Sequence, residues 1–226
     1  MNIFPRFASL FCKEYAKNHF RGSFLRVIPC RMKELRIALI GHRFMGRAHS
    51  NAWNQVSRFF DPAVKPVLQV ACGRDSAELA AFARRWGWQE TETDWRRLLE
   101  RDDIDAIDIA TPTFLHAEMA IAAAEAGKHI FCEKPFANTL AEGEAMLAAA
   151  EKAGVVHYLN HNYRRCPDVL LAKKITDDGE IGEIYHWRGA YQQSWLVDPR
   201  HPLDWKLKKS TAAAGPLWDL GSHAVD

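Results

Sequence analysis

The sequence predicts an α/β protein: a doubly wound parallel sheet followed by the incomplete start of an α+β domain. Short runs rich in apolar and β-branched residues alternate with longer helical stretches, the order that builds right-handed β-α-β units. The first such run, "RIALIG", leads directly into a glycine-marked turn and a helix. Beyond residue 160 the alternation stops.

Each element has its own signal. "RIALIG" reads as a buried strand, with a helix over residues 45–59 after it. "PVLQVACG" is a second strand, and "SAELAAFARRWG" a helix stopped by Gly87, since glycine takes the left-handed turn that ends a helix. "IDAIDIATP" is a third strand broken by Pro112, and "TFLHAEMAIAAAEAGK" a helix stopped by Gly127. "HIFCEKP", "TLAEGEAMLAAAEKAG" and "VVHYLN" supply a fourth strand, a helix and a fifth strand. After residue 160, "PDVLLAKKITDDGEIG" reads as a helix ended at Gly179 or Gly182, and "EIYHWRGAYQQSW" alternates like an antiparallel strand. "DPRHPLDWKLKKSTAAAGP" is loop, and another helix opens near Pro216. The expected division is an extension at 1–33, the parallel α/β domain at 34–159, and an incomplete α+β domain at 160–226.

The extension carries Arg, Lys and Phe, with Glu14 its one acid. Its composition matches an organelle transit peptide. The plainer reading, adopted here, is disordered or spurious sequence upstream of a natural start at Met32. Over the whole chain the charges nearly balance, 30 Lys and Arg against 28 Asp and Glu, so no nucleic-acid or membrane partner is expected. No apolar run approaches the ~18 residues of a membrane span. The five cysteines are scattered without a C-x-x-C pair, which implies reduced thiols in a cytoplasmic protein and no metal site.

The stretch "LIGHRFMGRAHSNAW" holds Gly41 and Gly46 at the first and third glycine positions of a dinucleotide-binding turn, with Arg43 at the second. In such a turn the first glycine permits a tight bend and the second a close approach to the pyrophosphate. The third lets helix and strand pack, and the helix N-terminus supplies free amides. Arg43 crowds the approach, yet its guanidinium can bond a phosphate oxygen. The turn alone leaves a cofactor site and an ordinary strand–helix connection equally open.

The segment "IDIATPTFLHAEMAIAAAEAGKHIFCEKPFANT" resembles the third and fourth βα units of the Gfo/Idh/MocA oxidoreductases, marked by the "ATP…H" turn and "GKH…CEKP". "NHNYRR", "DGEIGEIYHWRG" and "AGPLWDLGSHAVD" extend the resemblance to the last residue. It implies a Rossmann domain whose cofactor-binding residues are Gly41, Arg43, Phe44, Met45, Gly46, Gly73, Arg74, Thr111, Pro112, His116, Glu133 and Lys134. Gly73 stands where NAD-preferring members carry an acid, and Arg74 beside it can pair with the 2′-phosphate of NADP. Asp75 can still turn to the ribose, so the cofactor is NAD or NADP, with the balance towards NADP. His116 either packs the turn beneath the cofactor or is a satisfied histidine at a helix start.

Removing a hydride from a secondary alcohol requires a group that takes the hydroxyl proton. Lys134, at a strand end in "CEKP", resembles the family's active-site lysine; the bland alternative is a solvated lysine. Asp219 and His223 are four apart on the helix expected after Pro216, spacing that puts both on one face, and they match the family's D-x-x-x-H. Histidine titrates near ~6.5 and can accept the proton. Asp219 would bind a substrate hydroxyl or stabilise the imidazolium. Trp218 departs from the small residue usual before that aspartate, and would narrow the pocket or pack behind the helix. Asn162, Tyr163 and Arg164 are candidate substrate contacts or a hinge. The remaining histidines, Trp86, Trp88 and Trp95 receive no role.

The resemblance implies an NAD(P)-dependent oxidoreductase acting on a sugar, inositol or related polyol. Catalysis would rest on Lys134, Asp219 and His223, and the full-length form would be a homo-oligomer. The alternatives are a truncated, inactive dinucleotide-binding remnant and a sugar-responsive regulator on the same fold.

Overall fold

The computed structural model describes residues 34–212 and 214–226. The expected extension, 1–33, lies outside the described residues. The chain divides into two compact units, one ending at Ala110 and the other beginning at Thr111.

In the first unit, β1 (Glu34–Ile40) pairs in parallel with β2 (Lys65–Cys72) and with β4 (Ala106–Ile109), while β2 pairs in parallel with β3 (Glu90–Glu92). The order β3-β2-β1-β4 puts the chain's first crossover on one side of β1 and β4 on the other. That reversal leaves a crevice at the carboxyl ends of β1 and β4, where open α/β sheets bind ligands. Helices α1 (Phe44–Phe59), α2 (Ser76–Trp86) and the short α3 (Arg96–Leu99) complete the unit. The Asp75 carboxylate caps α2 by accepting the amides of Ala77 and Glu78 at 3.0 and 2.9 Å. Gly87, at φ 83°, ends it. Ile37, Leu39, Val70 and Leu79 are wholly buried. Their β-branched and leucine side chains drive the unit together by removing apolar surface from water. Asp108 is also wholly buried, and its carboxylate is satisfied by His49 Nδ1 at 2.8 Å and Trp53 Nε1 at 2.7 Å, both from α1.

In the second unit, β5 (His129–Glu133) and β6 (His157–Asn160) pair in parallel, with Glu133 opposite Asn160. Helix α4 (His116–Glu125) follows a 3-10 turn at Thr113–Leu115, and Gly127 lies just beyond it at φ 71°. Helix α5 (Leu140–Ala153) starts with a capping box: the Thr139 hydroxyl accepts the Glu142 amide, and the Glu142 carboxylate accepts the Thr139 amide. Helix α6 (Pro167–Asp177) takes Pro167 at its first position and gives way to Gly179 at φ 74°. The α/β class and the parallel strands expected from the sequence are present.

One expectation is corrected. Residues 183–195, read as a strand from their alternation, form no regular structure. Alternation sets which face a strand would bury, but a strand exists only where a neighbour satisfies its amides and carbonyls. Among the described residues, no strand lies beyond β6 to do so. The helix expected from Pro216 is present, but it is π-wound over Leu217–Gly221 before α7 (Ser222–Val225). No helix among the described residues is long and apolar enough to cross a membrane.

Candidate active site

The glycine turn has steric reasons for both of its glycines. Gly41 has φ 107°, a conformation L side chains rarely adopt. A Cβ on Gly46 would lie 2.0 Å from the Gly41 carbonyl oxygen, so α1 approaches β1 only because no side chain intervenes. Arg43 occupies the N-cap of α1 without capping it, and the first turn of α1 contains no acid. The opening amides and their positive potential are therefore not spent on a side chain, which suits an anion. The Arg43 guanidinium is exposed and sits 3.6 Å from the Glu78 carboxylate. Phe44 is exposed and Met45 half-buried.

Gly73 has a reason the sequence did not reveal. A Cβ there would meet His42 Nδ1 at 2.2 Å and Cε1 at 2.7 Å. The imidazole fills the space over Gly73 and extends Nε2 to Glu78 at 3.2 Å. Arg74 is exposed. Asp75 already spends Oδ1 on the two α2 amides, so turning it to a ribose would cost the cap.

In the second unit, His116 is wholly buried and bridges two carbonyl oxygens, Thr111 and Pro135, each at 2.9 Å. Burial holds its pKa below the ordinary value. A neutral ring donates to one carbonyl at a time, and its place is to tie the Thr111–Pro112 turn to the segment after Lys134. The Thr111 hydroxyl donates to Met119 Sδ at 3.7 Å. Glu133 is buried and accepts Asn160 Nδ2 at 2.6 Å.

Lys134 emerges from the carboxyl end of β5. Its ammonium donates to the Asp219 carbonyl at 2.9 Å and to Asp219 Oδ1 at 3.0 Å. Lys206 also reaches this aspartate, donating to Oδ1 at 3.2 Å and Oδ2 at 3.0 Å. Burial opposes ionisation of Asp219, but the bonds from Lys134 and Lys206 outweigh it and hold its pKa below the usual carboxylate range.

His223 does not bond this carboxylate. Its ring sits among Tyr163, Tyr191 and His161, with centroids 4.8, 5.7 and 5.6 Å away and edge-to-face geometry throughout. The Tyr163 and Tyr191 hydroxyls are 2.8 Å apart. Burial, then the positive charges of Lys134 and His161, push the His223 imidazole below its ordinary pKa. His223 Nδ1 is buried without a hydrogen-bond partner. Asn162 is exposed at the start of the Asn162–Arg165 turn, and Arg164 forks onto Asp226 at 2.7 and 2.5 Å. Trp218 donates its indole N–H to the Ala137 carbonyl at 2.7 Å. With Thr113, Pro135, Trp205, Lys206 and Asp219 it lines a small cleft.

The structure thus gathers Lys134 and Asp219, and places His223 in an aromatic nest with Tyr163. Sequence reasoning missed Lys206, Tyr191, Trp205 and His161. His161 lies inside the quoted "NHNYRR", but Lys206 carried no signal beyond a cation beside a tryptophan in a segment read as loop. Among the described residues, no group of three or more His, Cys, Asp or Glu side chains is arranged to hold a metal ion.

Parallel strands around a two-glycine turn at a strand-order reversal define the class of dinucleotide-binding α/β proteins. Residues 35–161 match the oxidoreductase family with an NAD-binding Rossmann fold, and 169–226 match the GFO/IDH/MocA C-terminal domain. The chain belongs to the GFO/IDH/MocA oxidoreductase family. It is similar to the levoglucosan dehydrogenase of Pseudarthrobacter phenanthrenivorans, 47% identical over 196 residues, 86% of this chain and 50% of that protein. Among solved structures it resembles an oxidoreductase domain protein from Kribbella flavida, at 53% identity and TM-score 0.83, covering 86% of this chain and 51% of the other. A levoglucosan dehydrogenase in complex with NADH and L-sorbose is similar at 47% identity and TM-score 0.83, covering 86% and 52%. The chain spans about half the length of these relatives.

Proposed function

We propose that the protein transfers a hydride between a secondary alcohol of a sugar, inositol or related polyol and a nicotinamide dinucleotide. The observation that carries this reading is the Lys134–Asp219 pair at 3.0 Å with His223 among aromatic rings. Support for the substrate class comes from the levoglucosan dehydrogenase similarity.

The turn fits the dinucleotide: the uncapped amides after Gly41 would face the pyrophosphate, and Arg43 would leave Glu78 for a phosphate oxygen. Phe44, Met45, Gly46, Thr111, Pro112 and Glu133 belong to the same proposed set. When bound, the dinucleotide supplies the hydride acceptor. Gly73, without a carboxylate, and the exposed Arg74 support NADP, whereas NADH in the 47%-identical relative supports NAD. Titration with each coenzyme separates the two.

On the protein side, His223 takes the hydroxyl proton; its lowered pKa keeps the ring neutral and ready near neutral pH. Lys134 donates a hydrogen bond to the carbinol oxygen, and Asp219 holds that ammonium in place. Tyr163 orders the imidazole and presents its hydroxyl beside it. Asn162 offers an exposed amide, and Arg164 meets substrate only by exchanging Asp226 for it. The domain division expected at 159/160 lies near the end of the first family match at residue 161, with the second match starting at 169. Cytoplasmic residence is supported by the free thiols Cys72, Cys132 and Cys166. A homo-oligomer is supported by exposed apolar side chains such as Trp187 and Leu203.

The test pairs coenzyme titration, read by tryptophan quenching, with turnover on a panel of sugars and polyols. Binding with turnover that disappears in Lys134→Ala and His223→Ala supports the enzyme. Binding without turnover points to the remnant, and a sugar response that survives both substitutions points to the regulator.

A further inference from the structure

Lys206 is not used by the reaction as described above, yet the local structure is built to deliver it. The Asp204 carboxylate accepts the Lys206 amide at 2.9 Å, and the Thr211 hydroxyl donates to the Trp205 carbonyl at 2.6 Å. These bonds fix the turn Trp205–Leu207. The ammonium lies 5.8 Å from the ring centroids of both Trp195 and Trp205, within reach of cation–π attraction. From there it spans both oxygens of Asp219.

A hydrogen-bond inventory gives that contact a purpose. An ammonium has three donors. Lys134 gives one to the Asp219 carbonyl and one to Oδ1, leaving a third for a substrate oxygen. Oδ2 is bonded by Lys206. Without Lys206 the carboxylate would turn about its Cβ–Cγ bond and draw on the remaining Lys134 donor. We propose that Lys206 is a positioning residue, clamping both Asp219 oxygens so that Lys134 keeps a donor for the reacting alcohol. The inference rests on the hydride-transfer reading above.

The charged groups around the cluster are Glu133 on β5, His161 and Arg164 from the segment after β6, and His223 and Asp226 at the end of the chain. Against that fixed background, removing one cation makes protonation of the remaining groups easier, so the pH dependence moves upward.

Lys206→Met is expected to lower kcat about 10- to 100-fold, the scale of a small misplacement of reacting groups. Its KM should change less than about threefold, and its rising pH limb should shift upward. Lys206→Arg, which keeps the charge and the donors, should recover most of kcat and return the limb. A KM-only loss, an unshifted limb, or an arginine variant no better than methionine overturns the clamp. Lys206→Gln replaces methionine if that variant fails to fold, with the same outcomes. A wild-type protein that turns over none of the sugars sinks the parent reading instead. The clamp is then read from the Asp219 carboxyl by carbon NMR. Its titration should move upward in the methionine variant and back in the arginine variant; an unmoved titration overturns it.

Discussion

Residues 34–160 and residues 161–226 divide the work of folding and chemistry unevenly. In the first stretch, strands carry wholly buried Ile37, Leu39 and Ile107, and helices end on capping groups placed by the sequence. In the second, large apolar side chains face water, Tyr185 at 87% and Trp187 at 74% exposure, and residues 183–195 form no regular element. Yet this stretch carries Asp219, His223, Lys206 and Tyr191. Burial of apolar surface sets the frame. The candidate site's side chains are held by point contacts, ionic and edge-to-face, on short helical turns.

That contrast can be broken at four places. The largest effect belongs to the chemistry: Lys134→Ala should lower kcat about 10³-fold while moving the melting temperature little, because Lys206 remains to pair Asp219. A variant that loses fold and activity together would make the ionic cluster part of the frame. Next is the frame itself. Gly46→Ala puts a Cβ 2.0 Å from the Gly41 oxygen and should cost about 3 kcal/mol, visible as a lower denaturant midpoint with loss of coenzyme quenching.

The third effect is pH-dependent and touches both stretches. Burial lowers the imidazole pKa of His116, His161 and His223, so these rings bind protons more readily in the unfolded chain. Stability should be flat above about pH 7 and fall on acidification below about 6.5, the ordinary histidine value. Melting curves from pH 8 to 5 check this, and a melting temperature that rises on acidification contradicts it. The smallest effect is expected at the surface: Trp187→Ser should change stability by no more than about 0.5 kcal/mol. A loss several times larger would show that residues 183–195 hold packing their exposure hides.

What could be read beforehand follows the same division. Gly87 and Gly127 act on their own neighbours, so a linear reading finds them. The three-residue β3 and four-residue α3 are too short to show a period, and long-range bonds such as the Gly73 amide to the Glu92 carbonyl hold them in place. Residues 183–195 had the alternation but not the partner. In the candidate site, Lys134, Asp219 and His223 are the residues that motif singles out. Lys206 is not among them, because its meeting with Asp219 depends on a turn fixed by Asp204 and Thr211. Asp219 and His223 lie close enough for the carboxylate charge to act on the imidazole, though no hydrogen bond joins them.

The seat of His42 over Gly73 constrains which side chain position 73 can carry. An acid introduced at position 73 would collide with the imidazole before it could meet a ribose. The imidazole would have to move aside, and that movement would strip Glu78 of its ring partner.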